Sequence, residues 1–247
     1  MSVHARLLRK LHHGRETGDP LVLPGPWDAA SARVFADAGS EALATPSAGV
    51  AASLGYADGE GTPPAEMVAA IARITRAVDV PVTADVEAGY GLSAAELVER
   101  LLEAGAVGCN LEDSDPASKQ LKDPQQHADW LAEVRATAGD ALVLNARIDT
   151  FLRGDRTTAA AVERGRLYAA AGADCVYPIM APPAQLAELA EQIGLPVNAL
   201  CKAGGPAPAE LGVFGASRVT FGGGLHAQSL SSLAELATSL RGVRPGV

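Results

Sequence analysis

The chain changes its period eight times, and this constrains its fold more than any other feature. Short apolar runs read as strands at Leu21–Leu23, Ala42–Ala44, Val80–Ala84, Val107–Leu111, Ala141–Ala146, Asp174–Pro178, Pro196–Ala199 and Arg218–Phe221. Helical stretches alternate with them over 28–38, 64–78, 93–104, 125–138, 157–171, 183–193, 207–214 and 225–241. Continuous apolar strands, each followed by a helix, are the rhythm of parallel crossover units. The helices carry start and stop signals. Ser93-Ala94-Ala95-Glu96 is a capping box, Asp28 precedes a helical run, and Pro63-Pro64 opens another, while Gly39, Gly105, Gly172 and Gly194 follow last turns. Eight such units without a composition break predict an α/β protein: a (β/α)8 TIM barrel with an extra N-terminal helix, in a single domain over 1–247. An open doubly wound sheet would call for a glycine-rich dinucleotide turn after the first strand, and Leu23-Pro24-Gly25-Pro26 is not one.

Composition narrows the partners. Aromatic residues make up only 4% against 48% hydrophobic, so helices are expected to pack on the sheet through small side chains. A net charge of −9 with no offsetting basic stripe argues against nucleic acid and anionic membranes. The one short basic patch, from Arg6 to Arg15, reads as a solvated helix face. No apolar run has the length of a membrane span, and MSVHARLLRKLHHGRE lacks the apolar core of a signal peptide, so a cytoplasmic location is expected. Cys109, Cys175 and Cys201 have neither metal-ligand nor redox spacing and read as buried, reduced core residues. His127 and His226 read as surface or packed residues, and Lys202 has no partner that the sequence names.

In a barrel, functional residues gather at the C-terminal ends of the strands. There the sequence places Trp27 and Asp28, then Ser47-Ala48-Gly49 with Asp58, then Asp85 and Glu87, Glu112 and Asp113, Arg147 and Asp149, Tyr177, Asn198, and Gly222-Gly223-Gly224. Strand alternation would turn Asp85 and Glu87 the same way. Two like charges beside a low-dielectric interior call for a cation between them. Asp85, Glu87 and Glu112 form a hard-oxygen set without histidine or cysteine, which suits Mg²⁺, or Mn²⁺, with several retained waters. Arg147 would face that set and suits a substrate carboxylate or phosphonate. A plainer reading stands beside this one, because acidic strand ends also cap helices or pair with a neighbouring arginine. Asp28 reads equally well as a cap, and the Gly222 triplet as a tight turn.

Four phrases, PWDAASARVFADAGSEALATPSAGVAASLGYADG, VTADVEAGYG, CNLEDSD and LNARIDTF, resemble the isocitrate lyase/phosphoenolpyruvate mutase superfamily in order and spacing over about the first 150 residues. The resemblance implies a barrel in a homo-oligomer, a dimer or a homotetramer of dimers, that exchanges the last helix between subunits. It implies Asp85 as the direct Mg²⁺ ligand, with Glu87 and Glu112 holding metal-bound waters. Ser47, Ala48 and Gly49 match the loop whose N–H groups bind a substrate carboxylate. Asp58 matches an acid near the metal, Arg147 the substrate-binding arginine, and Trp27 and Asp28 an aromatic residue and an acid lining the pocket. Thr45, Pro46 and Asn198 fall where substrate side chains are selected.

Such enzymes make or break a bond at C3 of a pyruvate-like unit through a metal-stabilised enolate. The superfamily's lyases carry a Lys-(Lys/Arg)-Cys-Gly-His lid after strand four. This chain has EDSDPASKQLKDPQQH instead, leaving Ser118, Lys119 and Lys122 as candidates for a lid acid or anion clamp, Lys119 foremost. The expected function is a Mg²⁺-dependent carbon–carbon lyase acting on a small 2-hydroxy or 2-oxo (di)carboxylate and releasing pyruvate or a related oxoacid. The alternatives are phosphoenolpyruvate mutase or phosphonopyruvate hydrolase chemistry, oxaloacetate decarboxylation or hydrolysis, and a barrel that binds an oxoacid without turning it over.

Overall fold

In a computed structural model of the chain, residues 2–242 are described, with side chains to 240. Helix α1 (Val3–Leu11) precedes β1 (Leu21–Val22) and α2 (Ala29–Asp37). Then come β2 (Leu43–Thr45), α3 (Ser47–Leu54), α4 (Pro64–Thr75), β3 (Val82–Asp85) and α5 (Ala94–Glu103). Next are β4 (Gly108–Glu112), α6 (Pro124–Ala138), β5 (Val143–Ile148), α7 (Thr150–Arg153) and α8 (Thr158–Ala170). The rest is β6 (Cys175–Pro178), α9 (Leu186–Ile193), β7 (Asn198–Leu200), α10 (Pro208–Val213), β8 (Arg218–Thr220) and α11 (Gly224–Gly242).

All strand pairs are parallel, in the runs β2-β3-β4-β5-β6 and β1-β8-β7. A bridge between Val176 and Val197 joins β6 to β7. The Ala44 amide donates to the Pro24 carbonyl at 3.1 Å and brings β2 back to β1. The ring is therefore continuous, as the eightfold alternation predicts. Helix α1 buries Ala5 and Leu8 against Leu21, Ala42, Val107 and Val143 at the N-terminal end of the strands. That end is thereby plugged, and the C-terminal end carries the open cavity. The expected capping box forms at Ser93, with Glu96, and Asp28 caps α2 in a further box with Ser31.

Strands β2, β3, β4, β5 and β7 lie one or two residues further along the chain than their apolar runs suggest. Pro81 and Pro196 have no N–H to extend β3 and β7 backwards. At the other end the runs stop at Ala84, Leu111 and Ala146, whereas the ladder continues through Asp85, Glu112 and Arg147. Backbone pairing does not require an apolar side chain, so these polar residues sit on rigid strand and not on loops. Two helices went unforeseen, α3 and α7, each opening directly from a strand end. Cys109 and Cys175 are buried as expected, but Cys201 is half-buried, because β7 ends at Leu200 and the chain has already left the core.

A small residue also brings two helices together. A Cβ at Gly165 of α8 would stand 2.5 Å from Ile193 of α9, so glycine lets these helices touch. The barrel interior is polar at mid-height, where Asn110, Asn145 and Arg218 take positions that branched apolar side chains often fill. No described helix is long and apolar enough to cross a membrane.

Candidate active site

A cavity of about 370 Å³ opens at the C-terminal ends of the strands, lined among others by Thr45, Ser47, Asp58, Asp85, Asn110 and Arg147. A smaller recess of about 200 Å³ adjoins it and shares Ser47, Asp58 and Arg147; Glu87, Glu112 and Lys119 are among the residues that line the rest of it. The position of each group follows from its element.

Asp85 is the last residue of β3, with Asn110 beside it in register on β4. Burial raises the Asp85 carboxyl above its ordinary pKa, and Arg147 only partly offsets this. Because β3 ends here, the period-two relation does not reach Glu87. Glu87 adopts φ 51°, in the left-handed region, and its carboxylate turns towards the neighbouring loop. There it accepts from the Glu60 amide at 2.7 Å and from the Tyr90 hydroxyl at 2.9 Å. Burial, with Asp58 and Asp85 nearby, lifts Glu87 to about 7 despite the Tyr90 bond.

Glu112 ends β4, and its register partner on β5 is Arg147, whose Nη1 lies 2.5 Å from Glu112 Oε2. Arg147 Nε also binds Asp149 at 2.7 Å. Burial opposes the guanidinium charge, but Glu112, Asp149 and Asp85 more than compensate, so it stays ionised. One arginine shared between two acids does not neutralise both. Burial, with Asp149, Asp85 and Glu87 adding to it, therefore pushes Glu112 up to about 8 although it touches Arg147. Behind this pair Asp113, fully buried, accepts from the Asp149 amide, Arg164 and Tyr168, which locks the ends of β4 and β5 to α8.

Helix α3 starts on the cavity wall. Its cap, Pro46, offers no side-chain hydrogen bond, so the first-turn amides of Ser47, Ala48 and Gly49 have no partner within the helix. Such a turn favours an anion. Gly49 itself is set back, where a Cβ would lie 3.0 Å from Pro46 and 3.3 Å from His226. Ser47 Oγ donates to Asp58 at 3.2 Å, which holds that acid on the wall common to both cavities.

Three of the expected substrate residues stand elsewhere. Trp27 packs edge-on against His226 at 5.0 Å, behind the first turn of α3. Asp28 caps α2 by accepting from the Ser31 amide at 2.7 Å. Asn198 is buried and bonded to Thr220, one layer beneath the wall. Lys119, at φ 59°, sits on an ordered turn closed by a bridge between Ser114 and Leu121. Sequence reasoning passed over Asn110, Thr220 and Lys202 as wall residues, along with the buried Asp113 network. Their signal is weak, because a polar residue inside a strand reads as an interruption.

Asp58 lines both cavities, Asp85 the larger one, and Glu87 and Glu112 the recess; the last three are pushed towards protonation chiefly by burial, and such oxygens are of the type a hard divalent cation takes. Among the described residues, no three acids or imidazoles are close enough to share one ion directly. A divalent ion bound here would take few protein oxygens directly, with water completing its shell. The residues fit such a metal.

Comparison with known proteins gives this geometry a context. The family model for phosphoenolpyruvate phosphomutase matches residues 8–241. An uncharacterized protein of Mycobacterium tuberculosis is 33% identical over 93% of this chain and 87% of its own length. The crystal structure of a candidate phosphonomutase from Burkholderia cenocepacia J2315 is 40% identical, covers 96% of this chain and 100% of its own, and superposes with a TM-score of 0.89. A 2,3-dimethylmalate lyase structure, described as a PEP mutase/isocitrate lyase superfamily member, is 26% identical, covers 100% of this chain and 89% of its own, and has a TM-score of 0.84.

Proposed function

This chain belongs to the phosphoenolpyruvate phosphomutase family, and from that premise we propose that it is a Mg²⁺-dependent carbon–carbon lyase acting on a small 2-hydroxy or 2-oxo (di)carboxylate. One observation carries the reading: the acids Asp85, Glu87 and Glu112 line two adjoining strand-end cavities that share Arg147 and the first turn of α3, whose amides have no partner within the helix. Asp85 would hold Mg²⁺ directly, with Glu87 and Glu112 binding its waters; Mn²⁺ has the same hard-oxygen preference. The bound ion supplies Lewis acidity where negative charge develops.

The chain's own residues do the rest. Ser47 and Ala48 amides bind a substrate carboxylate and fix its orientation. For a 2-hydroxy acid, loss of the hydroxyl proton lets the C2 oxygen form a carbonyl as the C2–C3 bond breaks; that bond's pair passes to C3 as an enolate, whose oxygen Arg147, held in place by Glu112 and Asp149, stabilises. Asp58, steered by Ser47, is the candidate base for the hydroxyl proton. Lys119 faces the recess and is the candidate acid that returns a proton to carbon.

A second reading, phosphorus–carbon chemistry at the same site, draws support from the 40% likeness to the candidate phosphonomutase. Oxaloacetate decarboxylation or hydrolysis would use the same groups. We also propose that the chain forms a dimer or tetramer through α11, where Leu230, Leu233, Leu236 and Leu240 are 49–69% exposed along one helix.

The deciding experiment offers Mg²⁺-loaded protein a panel of 2-hydroxy and 2-oxo dicarboxylates and, separately, phosphonopyruvate. Release of pyruvate or glyoxylate from a dicarboxylate supports the lyase. Interconversion of phosphonopyruvate and phosphoenolpyruvate without free pyruvate would replace it with the mutase. No turnover of any of these would overturn both.

A further inference from the structure

Arg218 is fully buried in the barrel, and among the described residues no Asp or Glu makes a salt bridge with it, although Asp85 acts on its charge from a distance. Its Nη1 lies 3.3 Å from His12 Nε2, and its Nη2 donates to Asn110 Oδ1 at 3.1 Å. Asn145 Nδ2 donates to the same oxygen at 2.8 Å. His12 contacts the Leu8 carbonyl through Nδ1 at 2.7 Å, which assigns the proton to Nδ1 and leaves Nε2 as an acceptor for Arg218. Burial, reinforced by Arg218, holds this imidazole neutral with a pKa of about 3.

The chemistry of these groups decides which way the Asn110 amide faces. A guanidinium has five donors and no acceptor, so the Asn110 atom against it is the oxygen. Its Nδ2 must then point the other way. Asn110 is only 5% exposed, yet it lines the cavity beside Asp85, its register partner. Among the described residues nothing accepts from its Nδ2. A donor held in one orientation on the wall of a water-accessible cavity is open to a ligand acceptor in place of water.

We propose that Asn110 is a substrate-binding residue, whose Nδ2 holds an acceptor oxygen of a 2-oxo or 2-hydroxy carboxylate at the deep end of the cavity. Arg218 is its positioning residue, keeping the amide from flipping, and a guanidinium with no salt-bridge partner beneath the floor favours an anionic ligand above it. The inference rests on the oxoacid reading of the cavity and deepens it. It selects ligands whose deep end carries an acceptor, and it disfavours those presenting a methylene or an ammonium there.

The test is calorimetric titration with oxalate, a planar two-carboxylate probe, at saturating Mg²⁺, alongside the thermal midpoint of each ligand-free protein. Wild type is expected to bind. Asn110→Leu is expected to bind about tenfold more weakly, the equivalent of one lost hydrogen bond. Asn110→Asp guards against a folding defect: its carboxylate gives Arg218 a counter-charge, so the protein should melt no lower than wild type while oxalate binding still falls. Arg218→Met should weaken oxalate similarly, with partial rescue in Arg218→Lys. Wild-type oxalate affinity in both Asn110 variants would overturn the inference and leave the oxoacid reading standing. No oxalate binding by wild type would overturn that reading and this inference with it.

Discussion

Arg147 Nη1 and Glu112 Oε2 stand 2.5 Å apart across adjacent parallel strands, directly in register, at the point where both strands reach the cavity. The pair sets the electrostatics of the site. Arg147 is already committed to Glu112 and Asp149, so a ligand meets a guanidinium whose orientation is fixed before it arrives. Such preorganisation removes the reorganisation cost when charge develops.

Removing one partner should therefore have two effects. Arg147→Ala is expected to lower kcat/KM at least about 100-fold, as the loss of an oxyanion-type donor does. It should also destabilise the fold by about 3–5 kcal/mol, because Glu112 and Asp149 lose their buried cation. Steady-state kinetics and urea unfolding read the two effects separately.

Asp85 gives the opposite stability result. Its carboxyl is raised mainly by burial, so its charge is unfavourable in the metal-free protein. Asp85→Asn should raise the metal-free thermal midpoint and abolish the stabilisation that Mg²⁺ gives wild type. A variant that kept the wild-type Mg²⁺ shift would place the metal elsewhere.

The acids make metal-free stability depend on pH. Glu87 titrates at about 7 and Glu112 at about 8, both above the unfolded value of about 4.3. The folded state holds the extra protons, so this stabilisation is complete below that value and is lost as pH rises through 7 and 8. His12 and His127, at about 3, stay neutral over the same window and do not oppose the trend. The thermal midpoint without metal should fall between pH 6.5 and about 8.5. Mg²⁺ should flatten the fall, bind more tightly at the upper end and release protons on binding. Calorimetry in buffers of different ionisation enthalpy measures that release.

Lys119 is exposed and makes no side-chain ion pair in the described structure. Lys119→Met should change stability by no more than about 0.5 kcal/mol, as at an ordinary surface site. If Lys119 delivers the proton, kcat should fall at least about tenfold. Unchanged kcat would return it to the role of a solvated loop residue.

The leucines of α11 make the oligomer testable. Leu233→Asp should lower the mass measured by light scattering, while the far-ultraviolet spectrum stays that of the wild type. An unchanged mass would remove α11 from the interface.

Much of the site was legible because it lies at strand ends, and strand ends are readable from a change of period. Asp85, Glu112 and Arg147 were each found where an apolar run broke off. The same reasoning failed two residues later. Glu87 leaves the strand geometry at φ 51°, so alternation says nothing about it, and Gly89 follows at φ 97° with Trp130 so near that a Cβ would stand 2.7 Å from its ring. The first turn of α3 looks like loop in the sequence, since Pro46-Ser47-Ala48-Gly49 has the composition of a turn. Asn110 was invisible for another reason: inside an apolar run, one amide looks like an interruption.

By itself the sequence determined the alternation of elements, the parallel barrel it closes into and the acids that end strands three and four, because period, caps and turn residues act over a few neighbouring positions. Only the tertiary structure decided which of these groups meet. Arg147 reaches Glu112 through strand register, and Arg218 turns the Asn110 amide across 108 residues of chain. Ring closure and register are set by all eight strands together, so no local pattern encodes them.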